Sequence, residues 1–243
     1  MNKVYLGIDI GSESVKGIIM DDDKNIIASE YLYIEKNVID TTKRLISILK
    51  QRINNSSYKI ISFGTTGVAR KLIGTILGAD VIKNEIVSHA IGIIMLKPDV
   101  KTIIDIGGQD IKIITLKDGG GLDYNISNLY TLDCEGDLLL DETQEKNIIN
   151  YLIGIYKNEG LRGPISIQGG WSKNKEIVRC IKKLFKENIY VDEMSEFLGA
   201  FGVAILAKNK KNKEKIIVNN ISFEIEKFNN YFKEYEKISL LRD

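Results

Sequence analysis

Residues 102–114 read TIIDIGGQDIKII, and residues 6–19 read LGIDIGSESVKGII. In both, an apolar, β-branched run ends in Asp-Ile-Gly and a second apolar run begins a few residues later. Laying Asp9 on Asp105 sets an offset of 96 positions. Gly11 then meets Gly107, Lys16 meets Lys112, and Ile18 and Ile19 meet Ile113 and Ile114. Further along, KIISFGTTG (59–67) resembles PISIQGGW (164–171), with Ile61 on Ile165 at an offset of 104. Two matches in the same order read as a duplicated unit. This is the strongest constraint on the fold, because each half must then build the same supersecondary unit.

Each half predicts two strands around the Asp-Ile-Gly turn (4–10 and 15–20; 101–106 and 111–116) and a third strand (26–34; 122–132). Turn residues 21–25 and 117–121 separate the second strand from the third. An amphipathic helix follows in each. Asp40 and Thr41 are expected to cap 42–52, with Leu45, Ile48 and Leu49 inward. Asp141 is expected to cap 142–157, with Ile148, Ile149, Leu152, Ile155 and Tyr156 inward. A short strand ending in glycine comes next (60–63; 165–167). Helices are expected over 85–95, 174–186 and 195–208. A mixed sheet with helices packed on it, twice over, places the chain in the α/β class. The pattern divides it into 1–98, 99–208 and a basic linker with a C-terminal extension over 209–243.

The bulk composition excludes more than it assigns. A net charge of +1 gives no field favouring nucleic acid or an anionic membrane. The longest apolar runs fall far short of the roughly 20 residues of a membrane helix, and no signal-peptide pattern opens the chain. Two cysteines, Cys134 and Cys180, are too few for a disulfide framework and fit a reducing cytoplasm. A single histidine, His89, excludes a mechanism resting on several.

A tight strand–glycine–strand turn presents backbone N–H groups, and glycine permits close approach. Such concave turns bind phosphate oxygens. Two of them facing across a cleft can hold a polyphosphate. Gly11, Ser12, Glu13 and Ser14 form the first turn, and Gly107, Gly108 and Gln109 the second. Asp9 and Asp105 stand at strand ends, where carboxylates suit Mg²⁺, held directly or through water. Lys16 can neutralise phosphate charge, and Gln109 can orient an attacking water. Gly169 and Gly170, with Lys173 just beyond, end a strand before a helix and suit an adenosine or α-phosphate contact. Plainer readings stand beside these. Lys16 and Lys112 can be solvent-facing strand residues, the favoured view of Lys112. His89, four residues after Glu85, can be a hydrogen-bonded structural histidine. Trp171 can pack a hinge or flank a nucleotide. Cys180, on a helix expected to pack on the sheet, reads as a buried core thiol.

The paired turns and the later Gly-Gly resemble the actin, sugar kinase and Hsp70 ATPase fold, two ribonuclease H-like domains with a nucleotide cleft between them. More closely, GIDIGSESVKGII, TTGVAR, NEIVSHAIG, TIIDIGGQDIKII, LDC and the Gly-Gly before SKN resemble the BadF/BadG/BcrA/BcrD ATPases. These activate 2-hydroxyacyl-CoA dehydratases and benzoyl-CoA reductases. The resemblance implies ATP with Mg²⁺, a homodimer, a dehydratase- or reductase-type partner, and one [4Fe–4S] cluster shared by two subunits, each giving two cysteines. Cys134 stands where the first cluster cysteine would be. The family's second cysteine is missing, and the interval from Cys134 to Gly169 has room for one helix. A cubane takes four thiolates, and Cys134 in a dimer supplies two, so the count argues against a conventional cluster. Three readings follow: a cluster-less ATPase of the activator type; a small-molecule kinase with Glu85 or Asp110 as general base; or a non-catalytic nucleotide-binding scaffold.

Overall fold

The computed structural model describes residues 2–53, 58–108, 110–116, 130–131, 142–159 and 161–210. The third strand of the second half (in part), the Asp141 cap, Gln109, Cys134 and the extension beyond 210 lie outside the described residues.

Two five-stranded sheets carry the duplication. The first half runs β1 (Asn2–Ile10), β2 (Ser14–Asp21), β3 (Ile26–Tyr33), α1 (Val38–Ile53), β4 (Tyr58–Thr66), α2 (Arg70–Leu77), β5 (Val81–Ile82) and α3 (Glu85–Leu96). The second runs β6 (Thr102–Ile106), β7 (Asp110–Thr115), β8 (Tyr130–Thr131), α4 (Glu142–Glu159), β9 (Ile165–Gln168), α5 (Lys175–Leu184), β10 (Ile189–Tyr190) and α6 (Leu198–Asn209). The sheet orders, β3-β2-β1-β4-β5 and β10-β9-β6-β7-β8, are one order read from opposite ends. In each, the first three strands are antiparallel and the last two add in parallel. By compactness, the described residues up to Glu85 and from Val203 to 210 form one unit, and those within Ile86–Gly202 the other. The chain therefore passes from one unit to the other inside α3 and returns inside α6.

The central strands are apolar because both of their faces are buried. Val4, Leu6, Ile8 and Ile10 of β1 are fully buried, as are Ile103, Ile104 and Ile106 of β6. Each such side chain contributes about 1.5–3 kcal/mol of transfer free energy. Leu45 and Leu49 of α1 press on β2 at Gly17, where an added Cβ would lie 2.7 Å from both. Ile46, rather than Ile48, completes the buried face of α1. Leu152 fills the same place in the second core.

Several boundaries differ from expectation. α1 starts at Val38, because Asn37 caps it: its Oδ1 accepts the Asp40 N–H at 2.8 Å, and its amide donates to Asp40 Oδ2 at 2.7 Å. Asp40 thus belongs to the first turn. α2 was not expected: it has eight residues, too few to show a helical period, and is interrupted by Gly74. Cys180 is half-buried, since Ile177 and Ile181 take the core side of α5. α3 and α6 cross almost in backbone contact. A Cβ on Gly202 would stand 1.8 Å from the Ser88 carbonyl, and one on Gly92 2.3 Å from that of Leu198. No described helix is long and apolar enough to cross a membrane.

The register corrects the sequence alignment. Asp9 pairs with Lys16 on one side and Thr66 on the other; Asp105 pairs with Lys112 and Gln168. Thr66 therefore corresponds to Gln168 and Gly67 to Gly169, an offset of 102 rather than 104. Leu6 pairs with Phe63 and Thr102 with Ile165, so Phe63, not Ile61, matches Ile165.

Candidate functional site

In the first unit, the Gly11 N–H donates to the Ser14 carbonyl at 2.9 Å and closes a tight turn between β1 and β2. This removes the Gly11 amide from the groups available to a ligand and leaves those of Ser12 and Glu13 without a partner among the described residues. Asp9 lies at the end of β1 and is 5% exposed. Strand pairing sets Lys16 directly opposite, with Nζ 3.8 Å from Asp9 Oδ2 and 5.4 Å from the centre of the Tyr31 ring. A Cβ on Gly11 would lie 3.8 Å from that Nζ, so the ammonium sits beside the turn. Burial pushes the Glu13 carboxyl above its ordinary range, against the pull of the Lys16 ammonium.

The second unit repeats the backbone and changes the side chains. The Gly107 N–H donates to the Asp110 carbonyl at 2.9 Å, the same closure. Asp105 is as buried as Asp9. Lys112 is buried rather than solvent-facing, and it turns to Asp110, Nζ to Oδ2 2.6 Å. Asp105 instead faces His89 of α3, with Nε2 3.8 Å from Oδ2. His89 is hydrogen-bonded as expected, though not to Glu85. Its Nδ1 is 2.7 Å from Gln168 Oε1 in β9.

The strand beside each acid ends in a glycine that no other residue replaces. Gly67 has φ +90° and Gly169 φ +84°. A Cβ on either would meet the carbonyl of Ile10 or Ile106 at 2.3 or 2.4 Å, and the carboxylate of Asp9 or Asp105 at 2.6 Å. Each glycine therefore lets its strand end close against an acid. Arg70 locks the first of these turns, donating to the Gly67 carbonyl at 2.8 Å and to Glu85 Oε2 at 3.0 Å. In the second, Ser172 Oγ donates back to the Gly169 carbonyl at 2.7 Å.

The Gly169–Gly170 corner differs from expectation. A 3₁₀ turn, Gly170–Lys173, separates it from α5. The N-terminus of α5 is not open to a ligand in the way anticipated, because the Asn174 side chain takes the N–H groups of Glu176 and Ile177. Lys173 donates to the Glu193 carbonyl at 2.8 Å and pairs with Glu196. Trp171 packs on the second core. Both candidate general bases are held in ion pairs, Glu85 by Arg70 and Asp110 by Lys112.

Sequence reasoning missed Thr66 as a site residue. It lies beside Asp9 in the ladder and is fully buried, and its hydroxyl has no partner among the described residues. A lone Thr before Gly carries no signal, but its position opposite an acid does. Buried polar groups are nearly always hydrogen-bonded, so this hydroxyl, the Ser12 and Glu13 amides and the Asp9 carboxylate fit a polar ligand at the turn. Among the described residues no three His, Cys, Asp or Glu side chains group as a metal cage. Mg²⁺ does not require one, since it uses one or two carboxylates with phosphate oxygens and water.

Known proteins resemble this chain. Residues 6–131 match the BadF/BadG/BcrA/BcrD ATPase family. The (R)-2-hydroxyglutaryl-CoA dehydratase activating ATPase of Acidaminococcus fermentans is 30% identical, covering 88% of this chain and 100% of that protein. The activator of lactoyl-CoA dehydratase of Anaerotignum propionicum is 27% identical, covering 86% and 99%. Among solved structures, the activator of the 2-hydroxyisocaproyl-CoA dehydratase from Clostridium difficile with bound ADPNP superposes with a TM-score of 0.71. It is 21% identical over 87% of this chain and 99% of that one, and establishes the fold as that of the actin-like ATPases. A duplicated α/β unit, an acid and a left-handed glycine at each strand end, and a family match through both turns place this chain in the BadF/BadG/BcrA/BcrD ATPase family.

Proposed function

We propose that this protein binds Mg·ATP, hydrolyses it, and uses its nucleotide state to activate a partner enzyme of the 2-hydroxyacyl-CoA dehydratase type. The observation that carries this reading is the matched pair of strand ends. Each unit sets a buried aspartate against a positive-φ glycine and a closed turn. The relatives named as dehydratase activators supply the partner class.

Ser12 and Glu13 amides and the Lys16 ammonium hold phosphate oxygens at the first turn, and the backbone of Gly107 and Gly108 holds phosphate oxygens at the second. Mg²⁺, when bound, neutralises phosphate charge; Asp9 and Asp105 hold it, directly or through water. The Thr66 hydroxyl donates to a phosphate oxygen or water beside Asp9. Gln109, outside the described residues, orients the attacking water. Gly169, Gly170 and Lys173 are assigned to the adenosine side. The protein acts as a homodimer without an iron–sulfur cluster of its own, because the chain's cysteines are two and Cys134 alone stands in a cluster position. The kinase reading is not favoured: the chain belongs to an ATPase family, and both candidate bases are ion-paired.

The test is anaerobic purification followed by iron analysis and phosphate release from ATP on one sample. Colourless, iron-free protein that turns over ATP without an acceptor is expected. Turnover that appears only with an added metabolite restores the kinase. Iron at cluster stoichiometry overturns the cluster-less reading.

A further inference from the structure

His89 lies outside the phosphate turns, yet it is buried against one of the two candidate acids. Strand pairing explains how. Asp105 and Gln168 are ladder partners in β6 and β9, so their side chains emerge on one face, and Ser166 follows on that face two residues earlier. All are buried, Ser166 and Gln168 almost completely. α3 lowers His89 onto this face, and the glycine crossing with α6 fixes the height of α3.

The hydrogen bonds assign the ring's protons. Gln168 Nε2 donates to Ser166 Oγ at 3.2 Å, which turns Oε1 toward His89. Oε1 can only accept, so His89 Nδ1, 2.7 Å away, carries the proton. The opposite amide orientation would place the proton on Nε2. That N–H would then face Asp105 Oδ2 at 3.8 Å, beyond direct hydrogen-bond range. The geometry thus leaves two acceptors, His89 Nε2 and Asp105 Oδ2, facing one another at a separation that a shared donor can bridge. The first unit has no equivalent, because Lys16 faces Asp9 there.

We propose that His89 is a positioning residue. Its Nε2 and Asp105 Oδ2 together accept the two protons of one water molecule, free or carried by a cation, and so orient that water at the end of β6. The role in turnover rests on the ATPase reading above; the tautomer does not.

Because His89 is the chain's single histidine, ¹⁵N-histidine NMR of the full-length, nucleotide-free protein reports on it without assignment. A proton on Nδ1 and a bare Nε2 are expected. A proton on Nε2, or on both nitrogens, overturns the proposal. Adding Mg²⁺ and a non-hydrolysable ATP analogue should move the Nε2 signal more than that of Nδ1; the reverse also overturns it. Two variants then separate positioning from packing. His89→Asn keeps a donor for Gln168 and loses the group facing Asp105. It should melt like the wild type while kcat falls about tenfold with KM for ATP held. His89→Gln reaches toward Asp105 and gives up the Gln168 bond, so it should melt lower yet keep more of kcat than His89→Asn. Rates that simply follow melting temperature in both variants mark a packing histidine and defeat the proposal. Wild-type protein without turnover removes the ATPase reading, and the NMR arm alone then decides the seat.

Discussion

The two Asp-Ile-Gly turns are built on one backbone and differ in what answers the acid. In the first unit the lysine opposite the aspartate reaches it, and the turn keeps an ammonium beside two amides that have no partner among the described residues. In the second, Asp110 replaces Ser14 as the residue closing the turn. Its carboxylate captures Lys112, and Asp105 is left to a histidine from another element. One substitution in a duplicated turn therefore redirects the cation from the acid at the strand end to the residue that closes the turn. The first turn keeps its ammonium against its own acid, and in the second the acid faces an imidazole instead. Duplication supplies the frame, and the division of labour comes from the residues that close it.

The comparison can be broken most sharply at the glycines. Gly67→Ala and Gly169→Ala should each destabilise by on the order of 3 kcal/mol, because both combine a left-handed φ with overlap on a neighbouring carbonyl. Urea unfolding of the two variants checks this, and a neutral result at either position would mean the strand ends are not equivalent. The acids come next. Asp9→Asn and Asp105→Asn should each lower ATP turnover about a hundredfold with the fold intact, measured by phosphate release and circular dichroism. Wild-type turnover in either removes that acid from the site.

The lysines should part company. Lys16→Met should weaken ATP binding about tenfold, while Lys112→Met should leave affinity within about twofold and lower the melting temperature, since it strands Asp110. Equal effects on affinity would erase the asymmetry. The smallest effects are the helix caps. Asn37→Ala in the first unit and Asn174→Ala in the second should each cost about 1 kcal/mol. The Asn37 cap has an acid-sensitive part. Its hydrogen bond holds the Asp40 carboxyl below its ordinary value of 3.8. That contribution is present above pH 3.8 and is lost as pH falls through the lower folded value, so the Asn37→Ala penalty should shrink in acid.

Much of this was legible in the chain. Apolar β-branched runs broken by Asp-Ile-Gly fixed the strand pair and placed both acids at strand ends, because period-2 burial and a tight turn leave few alternatives. The helices over 85–95 and 195–208 were foreseeable from their apolar content. The short α2 and the two-residue strands β5 and β10 were not, since they are too brief to show a period. The 102-residue register was also hidden, because it is set by which residues of β4 and β9 pair with the acids across the sheet, and that is a long-range choice.

The sequence by itself determined that one α/β unit is built twice, and that each copy carries an aspartate, a glycine turn and a lysine at fixed spacing. Those are local consequences of backbone geometry and burial. Only the tertiary structure decided which cation meets which acid, that Glu85 is held by Arg70, and that His89 is pinned by Gln168 and Ser166 against Asp105. The partners in those contacts lie up to 79 positions apart. They meet because strands pair across the sheet and α3 and α6 cross at glycines, and no spacing along the chain encodes that proximity.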